Sequence, residues 1–175
     1  MTELADILIR GKTLLASGAL ARTLPLASPR ANPARQALHG SRTIKENAML
    51  YRKETTKPVD QVFADIEAAS TAHGFGVLHH YDFKKTLAGK GFPLDNECRV
   101  MEICNPRQAS EVLAVDMALN MALPCRISIY QDGGKTIVGM IPPTSLLKLV
   151  SDDPRIAPAA REVEQAMQKI IEAAI

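Results

Sequence analysis

The sequence predicts an α+β domain in which about five strands alternate with helices and are followed by a long one. Three observations predict it. Apolar residues change period along the chain, from short strand-like runs to 3.6-residue spacing in longer stretches. Asp82 and Asn105 stand where a strand-like run gives way to a helical one, as N-cap residues do. Asp132-Gly133-Gly134 separates two β-type runs with residues that tolerate the positive φ of a tight hairpin turn.

Composition is compatible with that class. A chain of 175 residues suits one compact domain with a tail and can bury a real core. Hydrophobic residues are 46% and charged residues 23%, the balance of a globular protein. Aromatics are 4% with no Trp, so the core must be aliphatic, and platforms that stack sugars or unpaired bases are not expected. A net charge of +2 is too small to imply a nucleic-acid or acidic-membrane partner, and neither is expected. No apolar run approaches membrane-spanning length. Three cysteines without Cys-x-x-Cys spacing argue against a zinc ribbon or thioredoxin motif. No metal and no cofactor is expected, and free thiols point to a reducing cytoplasm.

The chain divides near residue 46. Residues 1–46 carry an approximately helical stripe of Leu4, Ile7, Leu8, Leu14 and Leu15, then Pro25, Pro29 and Pro33, which break any regular element. Glu3 and Asp6 sit where a secretory signal needs basic residues. The segment reads as an N-terminal arm and Pro-containing linker, and residues 47–175 as the α+β domain.

Within that domain, the run around Met49 and Tyr51 reads as the first strand. Thr55 or Thr56 is expected to cap a helix with Pro58 near its first position, where a missing N–H costs nothing. Val59, Val62, Phe63 and Ile66 give it one buried face, and Gly74 ends it. Phe75 to Tyr81 is the second strand. Asp82 caps a short helix around Lys84-Lys85 that runs into Gly89-Lys90-Gly91. Arg99 to Cys104 is the third strand, and a helix follows from Pro106 to about Met117. Cys125–Tyr130 and Lys135–Met140 form the hairpin, and Pro142-Pro143 stops the sheet. Ile156, Ala160, Val163, Met167, Ile170 and Ala174 share one face of the last helix.

The places where chemistry can sit are few. Cys104 lies just before a helix capped by Asn105, where unpaired N–H groups and the dipole favour a thiolate. Whether Cys125 joins it depends on topology. Antiparallel strands bring the two thiols together, and a parallel crossover puts them at opposite ends of the sheet. Two buried cysteines acting as small apolar residues satisfy the same pattern. Cys98 and Cys104 share one side of a regular strand but lie roughly 20 Å apart, so no disulfide joins them. His79 and His80 point to opposite faces, so one of them at most, His79 in this reading, can join the cysteines. Ala88-Gly89-Lys90-Gly91 lacks the phosphate-loop pattern and reads as a solvated loop. Glu102, between Met101 and Ile103, is expected on the solvent face. No serine–histidine–acid arrangement or nucleophile elbow is present.

Gly74-Phe75-Gly76-Val77-Leu78, Cys104-Asn105-Pro106, Leu123-Pro124-Cys125 and Tyr130 before the Asp132-Gly133-Gly134 hairpin resemble the family called domain of unknown function 302. The resemblance covers roughly residues 48–175. It implies a curved, mainly antiparallel sheet packed on helices, of the TBP-like, helix-grip kind, and a homodimer. It implies no established reaction, and genes of the family often lie near sulfur-handling genes.

The function expected is therefore that of a soluble, homodimeric, cytoplasmic binding protein. Cys104, Asn105, Pro106, Cys125 and His79 would hold a small ligand or sulfur species. Two alternatives stand beside it. One is a thiol-dependent redox or sulfur-transfer enzyme, with Cys104 as nucleophile and Cys125 resolving. The other is a structural subunit that binds a partner through the N-terminal arm.

Overall fold

The computed structural model describes residues 50–175, and the arm assigned to residues 1–46 lies outside them. The strands are β1 (Tyr51–Thr55), β2 (Gly76–Asp82), β3 (Cys98–Cys104), β4 (Cys125–Asp132) and β5 (Lys135–Met140). The helices are α1 (Val59–Ala72), α2 (Phe83–Ala88), α3 (Pro106–Val115), α4 (Pro143–Val150) and α5 (Ile156–Ala174), with a 3-10 turn at Met117–Ala122. The five strands form one open sheet in the order β1-β5-β4-β3-β2, and every neighbouring pair is antiparallel. This is the predicted α+β class.

One face of the sheet carries the core. Met101 and Ile103 of β3, Ile127 and Ile129 of β4 and Val138 of β5 are fully buried against Val62 and Ile66 of α1 and Met167, Ile170 and Ile171 of α5. Each such side chain contributes about 1.5–3 kcal/mol through burial. All six residues predicted for the inner face of the last helix are buried, and Ile171 joins them. A second cluster of Val112, Leu119, Leu147, Ile156 and Ala160 joins α3, the 3-10 turn, α4 and the start of α5.

Local chemistry explains most boundaries. Gly74, at φ 75°, lets α1 close with the paired bonds of a Schellman turn. Phe75 N–H donates to Ser70 O at 2.9 Å and Gly74 N–H to Thr71 O at 3.1 Å. Asp82 caps α2 as expected, its Oδ1 accepting from Lys85 N–H at 2.9 Å. Gly133 and Gly134, at φ 55° and 78°, form the two-residue turn between β4 and β5.

Some expectations need correcting. Neither Thr55 nor Thr56 caps α1. Thr55 stays in β1, its Oγ1 takes the N–H of Lys57 at 3.3 Å, and Pro58 itself occupies the cap position without a side-chain bond. The helix after Asn105 ends at Val115, because Asp116 is extended and its carboxylate caps the 3-10 turn through Ala118 N–H at 2.8 Å. The sequence reading also passed over α4. Its signal was Pro143, a residue preorganised for the first helical turn.

Candidate functional site

The site begins at the end of β3. Ile103 pairs with Cys125, and Gly76 pairs with Cys104, so β4 starts beside the point where β3 stops. This is the antiparallel alternative, and it brings Cys104 and Cys125 to the same end of the sheet. Both are free and half-buried, and both line one small cavity. Cys98 is also free but pairs with Tyr130 at the far end of β3.

Asn105 organises the entrance to α3. Its Oδ1 accepts from Gln108 N–H at 3.1 Å, and its Nδ2 donates to Gly74 O at 3.1 Å, tying the start of α3 to the end of α1. Asn105 lines the cavity together with Phe75 and Gln108. Leu123, just before β4, and Pro143 and Leu147 of α4 also line it. The space open to the centre of a water molecule is about 30 Å³. One water needs about 10–15 Å³ on that measure, so the cavity suits a molecule of two or three heavy atoms.

The electrostatics differ from the expected thiolate. Burial pushes the Cys104 thiol above its ordinary value. Burial, with the neighbouring Cys104 adding to it, pushes Cys125 to about 11. Removal from water outweighs the pull of the helix start, so both thiols are neutral near pH 7. No lysine, arginine or histidine is among the described residues lining the cavity.

The remaining candidates lie elsewhere. An extra residue at Leu78 shifts the β2–β3 register, so His79 pairs with Glu102 and His80 with Met101. His80 therefore turns to the helices, 5.2 Å from the ring of Phe63, and His79 packs against Tyr81 at 4.6 Å. His79 does not line the cavity, and neither does Pro106, which is exposed as the first residue of α3. Glu102 lies on the open face of the sheet, bonded to its cross-strand partner Arg126 at 2.9 Å. Of the cations near Gly89-Lys90-Gly91, Lys84 bonds Glu97 at 2.7 Å and Arg99 pairs with Asp60.

Two further features concern partners. The open sheet face carries a shallow groove of about 740 Å³ beside Tyr81, Phe83, Val100, Arg126 and Tyr130. Among the described residues no helix is long and apolar enough to cross a membrane, and no group of three or more His, Cys, Asp or Glu could hold a metal ion.

The sequence reading missed Gln108, which is 4% exposed beside both cysteines. The available signal was its place three residues after Asn105, the spacing of a capping box.

Comparison with known proteins agrees with this fold. The family model described as "Domain of unknown function DUF302" matches residues 51–174. A crystal structure of an uncharacterized conserved protein DUF302 from Bacillus stearothermophilus is similar, with 26% sequence identity and a TM-score of 0.69. The match covers 73% of this chain and 98% of that one. No curated protein matches the chain.

Proposed function

The chain belongs to the DUF302 family, and from that premise we propose that it is a binding protein for a small, uncharged, reduced sulfur species held between Cys104 and Cys125. The observation that carries the reading is a mainly apolar cavity lined by both thiols at the β3–α3 junction. Its size favours hydrogen sulfide or a short alkanethiol over any larger metabolite. Its apolar wall favours a neutral species, because an anion would be stripped of water with no cation in return.

A thiol-dependent redox or sulfur-transfer enzyme is the less favoured reading. Nucleophilic cysteines need a depressed pKa, and here burial raises both. A role for the N-terminal arm rests on residues outside those described. We also propose that the chain is a homodimer in the cytoplasm. The family resemblance supports the dimer, and three free thiols support a reducing compartment.

The test is calorimetric titration of the reduced full-length chain with sulfide at mildly acidic pH, where sulfide is uncharged. Saturable one-site binding is expected in the wild type, and Cys125→Leu, which fills the cavity, should remove it. A folded wild-type chain with no saturable binding overturns the reading. Sedimentation velocity checks the dimer, and a monomer at micromolar concentration counts against it.

A further inference from the structure

Gln108 stands at the third position of α3, and Asn105-Pro106-Arg107-Gln108 has the spacing of a capping box. Half of the box is closed, since Gln108 N–H donates to Asn105 Oδ1 at 3.1 Å. In the other half, the glutamine side-chain oxygen ordinarily accepts the backbone N–H of the cap residue. Here it does not. Gln108 Oε1 is buried and has no hydrogen-bond donor among the described residues.

A buried carbonyl oxygen without a donor loses its hydration and gains nothing, so such groups are rare in folded proteins. This one belongs to a side chain that lines the cavity between Cys104 and Cys125. Its neighbours there include the hydrocarbon of Phe75, Val112, Leu123 and Leu147. A ligand that donates a hydrogen bond satisfies the oxygen. A ligand without a donor leaves it unpaired, and an anion presents a second negative centre to it.

We propose that Gln108 is the specificity-determining residue of the cavity, its Oε1 accepting a hydrogen bond from the S–H of an uncharged sulfhydryl ligand. The inference rests on the sulfur-binding reading above and adds the chemical class that the site selects. Hydrogen sulfide and short thiols fit, while the hydrosulfide anion and thioethers do not. No bond forms or breaks in this step. The ligand binds and leaves intact.

Ethanethiol and dimethyl sulfide test the idea directly, because they are isomers that differ in having and lacking an S–H. Calorimetric titration of the reduced full-length chain should show about tenfold tighter binding of ethanethiol, the effect of one hydrogen bond to an otherwise unpaired group. Gln108→Met keeps the side chain's length and removes the acceptor. It should reduce the preference to about twofold or less. Binding of total sulfide by the wild type should also weaken as pH rises and hydrosulfide replaces hydrogen sulfide.

If the wild type binds hydrogen sulfide but does not discriminate between the isomers, the role of Gln108 is overturned and the sulfur reading stands. A folded Gln108→Met that keeps the preference overturns it equally. If the wild type binds neither sulfide nor either isomer, the sulfur reading itself falls. Should Gln108→Met fail to fold, the wild-type comparison of isomers decides alone.

Discussion

Asn105 Nδ2 donates to the carbonyl oxygen of Gly74 at 3.1 Å, so one side chain both caps α3 and fastens it to the end of α1. The two bonds separate experimentally. Asn105→Asp keeps the cap oxygen and loses the Nδ2 donor, whereas Asn105→Ala loses both. In urea unfolding, Asn105→Ala should cost about 1–2 kcal/mol. Asn105→Asp should cost less than half of that. Equal losses from the two variants would show that the cap contributes nothing.

Cys125 links the cavity to alkaline stability. Its pKa rises from about 9 to about 11 on folding, by burial first and Cys104 second. Between those values the folded state keeps a proton that the unfolded state releases. Stability is therefore fully present below about pH 9 and is lost as pH rises toward about 11, by up to about 2–3 kcal/mol. Cys125→Ala should flatten this part of the curve. Tyr51, pushed to about 12 by burial and Glu172, and the raised thiols of Cys104 and Cys98 remain in the variant, so it keeps an alkaline slope smaller than that of the wild type. Identical slopes for wild type and Cys125→Ala would refute the assignment.

Thiol labelling reads the same electrostatics kinetically. With iodoacetamide at about pH 8, Cys125 in the native chain should react about a hundredfold more slowly than in the urea-unfolded chain. Cys104 and Cys98 should also be slowed, since burial raises both, with Asp82 adding to the effect on Cys98. Peptide mapping of labelled sites distinguishes the three. Native Cys125 labelled as fast as unfolded Cys125 would contradict a buried neutral thiol.

Gly139 controls how closely the edge strand β1 approaches the sheet. It pairs with Arg52, and a Cβ on Gly139 would lie 2.9 Å from Tyr51 O and 2.9 Å from Arg52 Cγ. The first of these atoms is backbone and cannot turn aside. Gly139→Ala should destabilise by about 1–3 kcal/mol and push β1 outward. Amide exchange at Tyr51–Thr55 should accelerate more than exchange in β3 or β4. Unchanged protection in β1 would show that the strand absorbs the methyl group.

Much of the domain was legible locally. Asp82, Gly74, the Gly133-Gly134 pair and the capping oxygen of Asn105 act within four residues of their own positions, so these consequences can be read from the chain alone, whereas the Asn105–Gly74 bond spans 31 residues. The periodic faces of α1 and α5 are equally local, because burial on one side of a helix writes a 3.6-residue pattern. Where the reading failed, a near neighbour competed. Pro58 took the cap position expected of Thr55 or Thr56, and Asp116 ended α3 early by capping the turn after it.

The α+β class, most helix and strand positions, the hairpin and the family resemblance can all be read along the chain, since each depends on residues close together in it. The antiparallel pairing of β3 with β4, and the one cavity that Cys104 and Cys125 both line, emerge only from the packed fold. So do the burial that keeps their thiols protonated and the half-open capping box at Gln108. These depend on strand order, desolvation and packing among β3, α3, β4 and α4, which meet across long stretches of chain, and no spacing along the sequence encodes how far water is excluded where they meet.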